Sequence, residues 1–373
     1  MDFAFNEEQQ MLVDATRRFM TEQYSFDYRR RIKESAQGFS RETWKQLAEL
    51  GLLALTIPEK DGGIGGGPIE AMLVSTIMGE GMLVEPFLTS AVVATQAIVT
   101  LGSDTQRATW LPAMSGGDLI TVLAHDEEAN RDDVYLTETV AARDGADWII
   151  NGKKSLTYHA GLADLLLVSA RTGDGKLALF AIPPNAQGVQ LQPCVSVDDQ
   201  RAATLQLESV HTSDNDRLGD NAAQALQDAL DFGLAALCAD AFGAMDKVLK
   251  ATIEYSKVRV QFGAPIGSFQ ALQHRMTEML MHLEQARSMM YLAASECNNS
   301  ALSERNAALS AAKVLMGQAA RYIGQQAVQL HGGMGMTDEL NISHYFKRLL
   351  AFELRCGTTD QHLERYRRHL MAM

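Results

Sequence analysis

Two short segments carry side chains for which a helix has little use. The first, Arg259-Val260-Gln261-Phe262-Gly263-Ala264-Pro265-Ile266-Gly267-Ser268-Phe269-Gln270, closes a long apolar seam with a glycine and proline turn that holds a cation, an aromatic ring and two glutamines. The second is Gln329-Leu330-His331-Gly332-Gly333-Met334-Gly335-Met336. Glycine lets a backbone come close to a ligand, and exposed amides hydrogen-bond phosphate oxygens or an adenine edge. An arginine is the natural partner of a pyrophosphate. Each segment alone also reads as a helix end followed by a turn, whereas the two together are far more specific. His331, beside the glycines, could shuttle protons or serve only the fold.

The elements that must position these segments follow from the hydrophobic period. From Asn6 to about Ala113 apolar residues recur three and four apart, as in Met11, Leu12, Ala15 and Phe19, with breaks at Gly51, Pro58 and Asp61-Gly62-Gly63-Ile64-Gly65-Gly66-Gly67. That glycine run lacks the Gly-Lys-Ser/Thr ending of a phosphate loop and reads as a turn or linker. The period then changes. Short β-type segments stand at Thr137-Ala142, Trp148-Ile150, Leu165-Ala170 and Leu177-Ile182, separated by turn signals at Asp144-Gly145 and Asn151-Gly152. After Asp220 the chain is helical again: Leu230, Leu234, Leu237, Ala241, Ala244, Val248, Ala251, Tyr255 and Val258 keep a four-three seam. Ala307 to Leu330 gives a further helix, and Asn341 to Met371 a last one broken near Gly357. The expected class is α+β: helices over 1–118, an antiparallel β domain over 119–220 and a helical bundle over 221–373.

Composition limits the partners. The chain has 373 residues, 33 basic against 46 acidic, and a net charge of −13, which argues against a nucleic-acid footprint. Its four cysteines, Cys194, Cys238, Cys297 and Cys356, form no C-x-x-C pair and have no histidine cluster beside them, so neither a disulfide framework nor a metal site is expected. The N-terminus, Met1 to Glu8, lacks a basic, apolar leader, and the apolar stretch Ala163 to Ala170 is far short of the ~20 residues of a membrane span. A cytoplasmic protein is expected.

At these motifs the sequence resembles the acyl-CoA dehydrogenase family. The resemblance runs through Thr56 to Gly63, Trp148-Ile149-Ile150-Asn151-Gly152-Lys153-Lys154, Arg259 to Gln270, Gln329 to Gly335, and Cys356-Gly357-Thr358-Thr359. It implies a helical N-terminal domain, a β middle domain and a C-terminal four-helix bundle, with FAD lying across a subunit interface. It also implies α,β-desaturation of an acyl-CoA thioester, with electrons passing to an electron-transfer flavoprotein. Carried over, Arg259, Phe262 and Gln270 would hold the pyrophosphate and adenosine end of FAD, joined by Gln329 and Gly333, and Thr358 would touch the flavin.

The departures from the family pattern are as telling. The usual catalytic glutamate of a Tyr-Glu-Gly-Thr motif is replaced by Cys356, and the alternative glutamate position on the seam helix falls on Gly233. A base is required because the α-proton leaves as hydride passes to the flavin. Asp240, two turns beyond Gly233 on the same face, is the expected base, its small neighbours Ala236, Gly243 and Ala244 leaving room for a ligand. The alternative is a polar residue paired within the bundle. Glu353 and Asp360 are further candidates. Where the family has Thr-Glu-Pro-Gly-x-Gly-Ser-Asp, this chain has Asp126-Glu127-Glu128-Ala129-Asn130-Arg131-Asp132-Asp133, and Leu156-Thr157-Tyr158 replaces the Trp-Ile-Thr that packs on the flavin. An acidic run disfavours a phosphate-bearing cofactor unless Arg131 offsets it.

An intact adenosine half beside an altered ring half fits one partner of an α2β2 assembly. This chain then resembles the pimeloyl-CoA dehydrogenase small subunit and the heteromeric branch acting on steroid side chains, with a bulky acyl-CoA as substrate. Open alternatives are a homo-oligomer using Asp240, a non-catalytic partner that completes a second subunit's FAD site, and a flavoprotein oxidase. Met276, Met279, Met281, Met289 and Met290 could line an adaptable cleft or belong to the core.

Overall fold

The computed structural model describes residues 5–128 and 136–372. Helices α1 (Glu7–Glu22), α2 (Phe26–Glu34), α3 (Arg41–Glu49) and α4 (Pro68–Gly81) come first, and a π-helical stretch, Phe87–Ala94, runs into α5 (Thr95–Leu101) and α6 (Asp104–Ser115). Strands β1 (Thr121–Ala124), β2 (Val140–Asp144), β3 (Asp147–Tyr158), β4 (Leu165–Thr172), β5 (Leu177–Ile182), β6 (Val189–Val195), β7 (Arg201–Thr212) and β8 (Arg217–Leu218) follow. The last part holds α7 (Ala223–Val258), a short hairpin of β9 (Val260–Gln261) and β10 (Ala264–Pro265), then α8 (Gln270–Glu296), α9 (Leu302–His331), α10 (Asn341–Leu354) and α11 (Thr359–Ala372). Among the described residues no helix is long and apolar enough to cross a membrane.

Local chemistry sets the helix ends. Asn6 with Gln9 and Ser103 with Gln106 form reciprocal capping boxes, which satisfy orphan amides at the starts of α1 and α6. The glycine run after Pro58 is a folded-back turn: the amides of Gly63, Ile64, Gly65 and Gly66 donate to Pro58, Ala54, Ile57 and Leu55. Those amides serve the fold and are not offered to a phosphate.

The residues form two compact units. One is Met1–Arg30, Pro68–Leu83 and Leu234–Met373; the other is Arg31–Gly67 and Val84–Gly233. The N-terminal helical residues are therefore shared between the units. In the second unit the sheet runs β6-β7-β3-β2-β4-β5-β8, with β1 also on β4. It is not purely antiparallel, as the sequence reading expected. β1 pairs parallel with Leu165–Val168 of β4, and β2 pairs parallel with Arg171 and Thr172 on the same strand. Two short strands thus share one edge of β4. Leu167, Leu179 and Ala181 of the sheet pack with Ala97, Ile98, Leu111, Met114 and Leu226 in one apolar core.

In the first unit α4 and α7 meet at glycines. A Cβ on Gly79 would lie 1.9 Å from the Asp240 carbonyl oxygen, and one on Gly243 would lie 1.9 Å from that of Thr76. The helices touch backbone to backbone. The space at Gly243 beside Asp240, read from sequence as room for a ligand, is thus occupied by α4. Met279 and Met290 are buried, whereas Met281 is exposed.

Candidate functional site

The first unit brings the two glycine-bearing segments together. Helix α7 ends at Val258, and β9 and β10 pair Gln261 with Ala264 and Val260 with Pro265, leaving Phe262-Gly263 as a two-residue loop. Both loop residues have positive φ, 52° and 80°, as a type I′ turn demands. An aromatic residue rarely takes that conformation, and Phe262 is 94% exposed at the tip. A side chain held in strain and in water is set for a partner or ligand. Arg259 is exposed at the hairpin base, where its carbonyl accepts from the Ile266 amide at 2.8 Å, and Gln270 is exposed at the start of α8.

At the end of α9, Gln329 and Gly333 are exposed, and no atom would meet a Cβ at Gly332 or Gly333 within 4 Å. The backbone there is open to a ligand. The imidazole of His331 stacks on Tyr255 of α7 at 4.2 Å, and its Nδ1 donates to the Ala327 carbonyl at 2.8 Å. Burial holds its pKa below the ordinary range. Of the two readings of His331, the structure displays a stacking role that ties the end of α9 to the last turn of α7, just before the first segment.

A third piece is the connector between α10 and α11. Cys356 and Gly357 both have positive φ, 53° and 91°. The buried Lys313 of α9 donates through Nζ to the carbonyls of Gly357 at 2.7 Å and Glu353 at 3.3 Å. Glu353 accepts from the Thr359 amide at 3.0 Å and its hydroxyl at 2.7 Å. Thr358 and Gln361 cap α11 reciprocally: the Thr358 amide donates to Oε1 of Gln361 at 2.7 Å, and the Gln361 amide donates to Thr358 Oγ1 at 3.3 Å. Glu353 serves this scaffold, and Asp360 is an exposed acid in the first turn of α11, where the helix dipole favours it.

His362 completes the scaffold by donating from Nε2 to the Cys356 carbonyl at 2.7 Å, with Nδ1 facing Ser310 Oγ at 3.3 Å. Burial pushes its pKa down to about 4. The unfolded chain binds a proton near pH 6.5 that the folded chain refuses until about pH 4, so this group's contribution to stability is lost as pH falls through that window. Its expected slope is about 1.4 kcal/mol per pH unit. A His362→Gln variant, keeping a donor to Cys356, should show a correspondingly flatter loss of melting temperature between pH 6.5 and 5. An unchanged pH profile would contradict the assignment.

Asp240 lies elsewhere in the same unit. Its carboxylate is held by the Arg348 fork, with Nε to Oδ1 at 3.0 Å and the terminal nitrogen to Oδ2 at 2.7 Å. Both side chains are largely buried. This geometry is that of a bidentate structural pair. In the second unit, a Cβ on Gly233 would meet Val93 Cγ2 of the π-helical stretch at 2.5 Å. A side chain at that position would require Val93 to shift.

The sheet accounts for the acidic run. Glu127 turns inward, accepting from the Thr139 amide at 3.1 Å, the Thr139 hydroxyl at 2.6 Å and Lys154 Nζ at 2.5 Å. Burial works against the Glu127 charge, but Lys154, Thr139 and Glu138 together hold its pKa below the ordinary value. Burial pushes Lys154 down to about 8 against the pull of Glu127, and pushes His125 beside it down to about 3. Glu128 pairs with Lys153 at 2.7 Å. Two of the acids are thus offset by lysines of β3, while Arg131, Asp132 and Asp133 lie outside the described residues. Leu156 sits in a β-bulge at φ 42° with its side chain half-exposed, Thr157 points inward, and Tyr158 meets Ser196 at 3.3 Å.

Lys313, Arg348 and Tyr255 escaped the sequence reading as site-forming residues. A lysine in an alanine-rich helix reads as solvent-facing, and the Asp240 to Arg348 pairing spans 108 positions.

Models of the acyl-CoA dehydrogenase N-terminal, middle and C-terminal domains match residues 6–118, 123–210 and 223–371. The chain is 28% identical to the probable acyl-CoA dehydrogenase YngJ of Bacillus subtilis, over 96% of this chain and 97% of that one. It is 27% identical to acyl-CoA dehydrogenase FadE27 of Mycobacterium tuberculosis over 99% of each. Among solved structures it is similar to the ChsE4-ChsE5 complex from Mycobacterium tuberculosis, with TM-score 0.90 and 25% identity over 100% of each chain. It is likewise similar to the Tcur3481-Tcur3483 steroid ACAD variant, with TM-score 0.89 and 27% identity over 98% of each.

Proposed function

Because the chain belongs to the acyl-CoA dehydrogenase family, whose members are FAD-dependent oxidoreductases acting on CH-CH bonds, we propose that it works as one half of a shared site, in a hetero-oligomer with a second family member. The observation that carries this is the missing base. By the motif resemblance the two family positions for the carboxylate fall on Cys356 and Gly233; in the structure Gly233 is packed against Val93, and Asp240 is engaged by Arg348. The relatives named for the ChsE4-ChsE5 complex and for a steroid ACAD lend the reading its form, a two-member assembly and a bulky, steroid-like acyl-CoA; in this reading the partner supplies the proton acceptor.

The residues present fit FAD. The uncrowded backbone at Gly332 and Gly333 would admit a pyrophosphate, Arg259 offers the cation, and Phe262 offers a ring to cover an adenosine end. Gln270, Gln329 and Thr358 supply polar contacts in the same assignment. The chemistry FAD would supply when bound is acceptance of the hydride from the β-carbon of the thioester. The task of this chain is to hold that cofactor, while the α-proton goes to a carboxylate of the partner. An electron-transfer flavoprotein is the electron acceptor we assign to the assembly.

Two variants report on the cofactor assignment. Arg259→Ala removes a charge-assisted contact and should weaken FAD retention about 10-fold to 100-fold. Phe262→Asn converts the hairpin loop to Asn-Gly, raising stability by about 1 kcal/mol while lowering flavin content. Flavin content unchanged in both would remove these residues from the site. The proposal itself is tested by the flavin-to-protein ratio of the purified chain, measured with its mass by light scattering. Little FAD, restored on adding a second family member with an intact glutamate, is the expected result. One FAD per chain in a homo-oligomer that turns over substrate alone would overturn it.

A further inference from the structure

We propose that Lys313 is a positioning residue: it fixes the connector between α10 and α11 so that Cys356 and Thr358 face the cofactor. This rests on the assignment of Thr358 to FAD. Lys313 lies in the middle of α9 and is wholly buried. A lysine is costly to remove from water, and such burial persists where the hydrogen-bonding capacity of the head group is used. Nζ reaches the Gly357 and Glu353 carbonyls and lies over the Phe352 ring at 4.5 Å. These contacts all fall on the C-terminal end of α10 and the turn after it, where unsatisfied carbonyls attract a cation.

The turn needs such an anchor. Cys356 and Gly357 are successive left-handed residues, a conformation that is strained for a side chain such as that of Cys356. The surrounding face of α9 is shaped to hold it. Ser310, Lys313 and Gly317 recur at three and four, and so share one face of the helix. Ser310 meets the connector through His362, whose other nitrogen holds the Cys356 carbonyl. Gly317 leaves space, since a Cβ there would lie 2.4 Å from Thr359 Oγ1 and 2.5 Å from Glu353 Oε2. A link that merely joined two helices would not need a buried ammonium, a buried imidazole and a buried carboxylate converging on one turn. What the convergence fixes is the backbone that carries the exposed Cys356 and the partly exposed Thr358.

The test is amide hydrogen exchange over residues 355–360 in full-length Lys313→Met, combined with FAD titration of the purified assembly and the visible spectrum of its bound flavin. Exchange at the connector should quicken at least tenfold while α8 is unchanged. FAD affinity should fall at least tenfold, and the flavin band should shift, which a loss of general stability would not produce. Connector exchange at the native rate overturns the proposal. Faster exchange with unaltered affinity and spectrum upholds the anchoring of the connector by Lys313 and overturns instead the assignment of Thr358 to FAD. If Lys313→Met does not fold, Glu353→Gln loosens the same turn from Thr359. There, at least threefold faster connector exchange with weaker FAD binding supports the proposal, and no change in either overturns it.

Discussion

Asp240→Leu is expected to lower the stability of the chain by about 3–5 kcal/mol, because the buried Arg348 guanidinium then loses the carboxylate that balances it. The fork at 3.0 and 2.7 Å is the interaction removed. A urea titration followed by tryptophan fluorescence reads the loss directly as a lower midpoint with the same slope. The double variant Asp240→Leu/Arg348→Met should recover most of it, since a buried ion pair replaced by apolar groups of similar volume is often near neutral. Turnover adds the decisive comparison. If Asp240→Asn left the urea midpoint untouched and cut turnover of the assembly 100-fold, Asp240 would be the proton acceptor and the shared-site reading would fail.

The second large effect is at the crossing of α4 and α7. Gly243→Ala places a methyl group 1.9 Å from the Thr76 carbonyl oxygen, and Gly79→Ala does the same toward Asp240. Neither neighbour is the loose end of a side chain. The helices must separate, with an expected loss of about 3 kcal/mol or more for each variant. Because the contacts adjoin one another, the double variant should lose less than the sum, the first separation having already made room for the second methyl. Thermal unfolding of the two single variants and the double measures this. Single variants that melt with the parent would show that the helices do not touch through backbone.

Much of this fold was legible in the order of residues, for identifiable reasons. The seam from Leu230 to Val258 repeats at four and three without interruption, and α7 covers it. Gly357 breaks the final helical pattern, and α10 and α11 part there. β7 was missed because Arg201–Thr212 mixes alanine, threonine and glutamine with few large apolar residues. The four-residue β1 was too short for its pattern to stand out, and its parallel pairing with β4 is a property of topology. In the site, the glycine-bearing segments were visible because glycine and proline interrupt helices. What could not be read was which polar groups face each other. Asp240 was visible as a carboxylate among small residues, but Arg348 and the helix that fills the space were not. A signal was present in Gly79 and Gly243, since a glycine inside a helical pattern often marks a close approach of backbones.

The contact between Val93 and Gly233 bears on how this chain could gain a base. A glutamate placed at position 233 would bring its Cβ to 2.5 Å from Val93 Cγ2, so that substitution requires Val93 to move before a new carboxylate could serve there as a base. Either the valine turns about its side-chain torsion or a smaller residue takes its place. On the shared-site proposal, the contact therefore makes the gain of a carboxylate at this position a two-residue problem, in which position 93 must give way along with the change at 233.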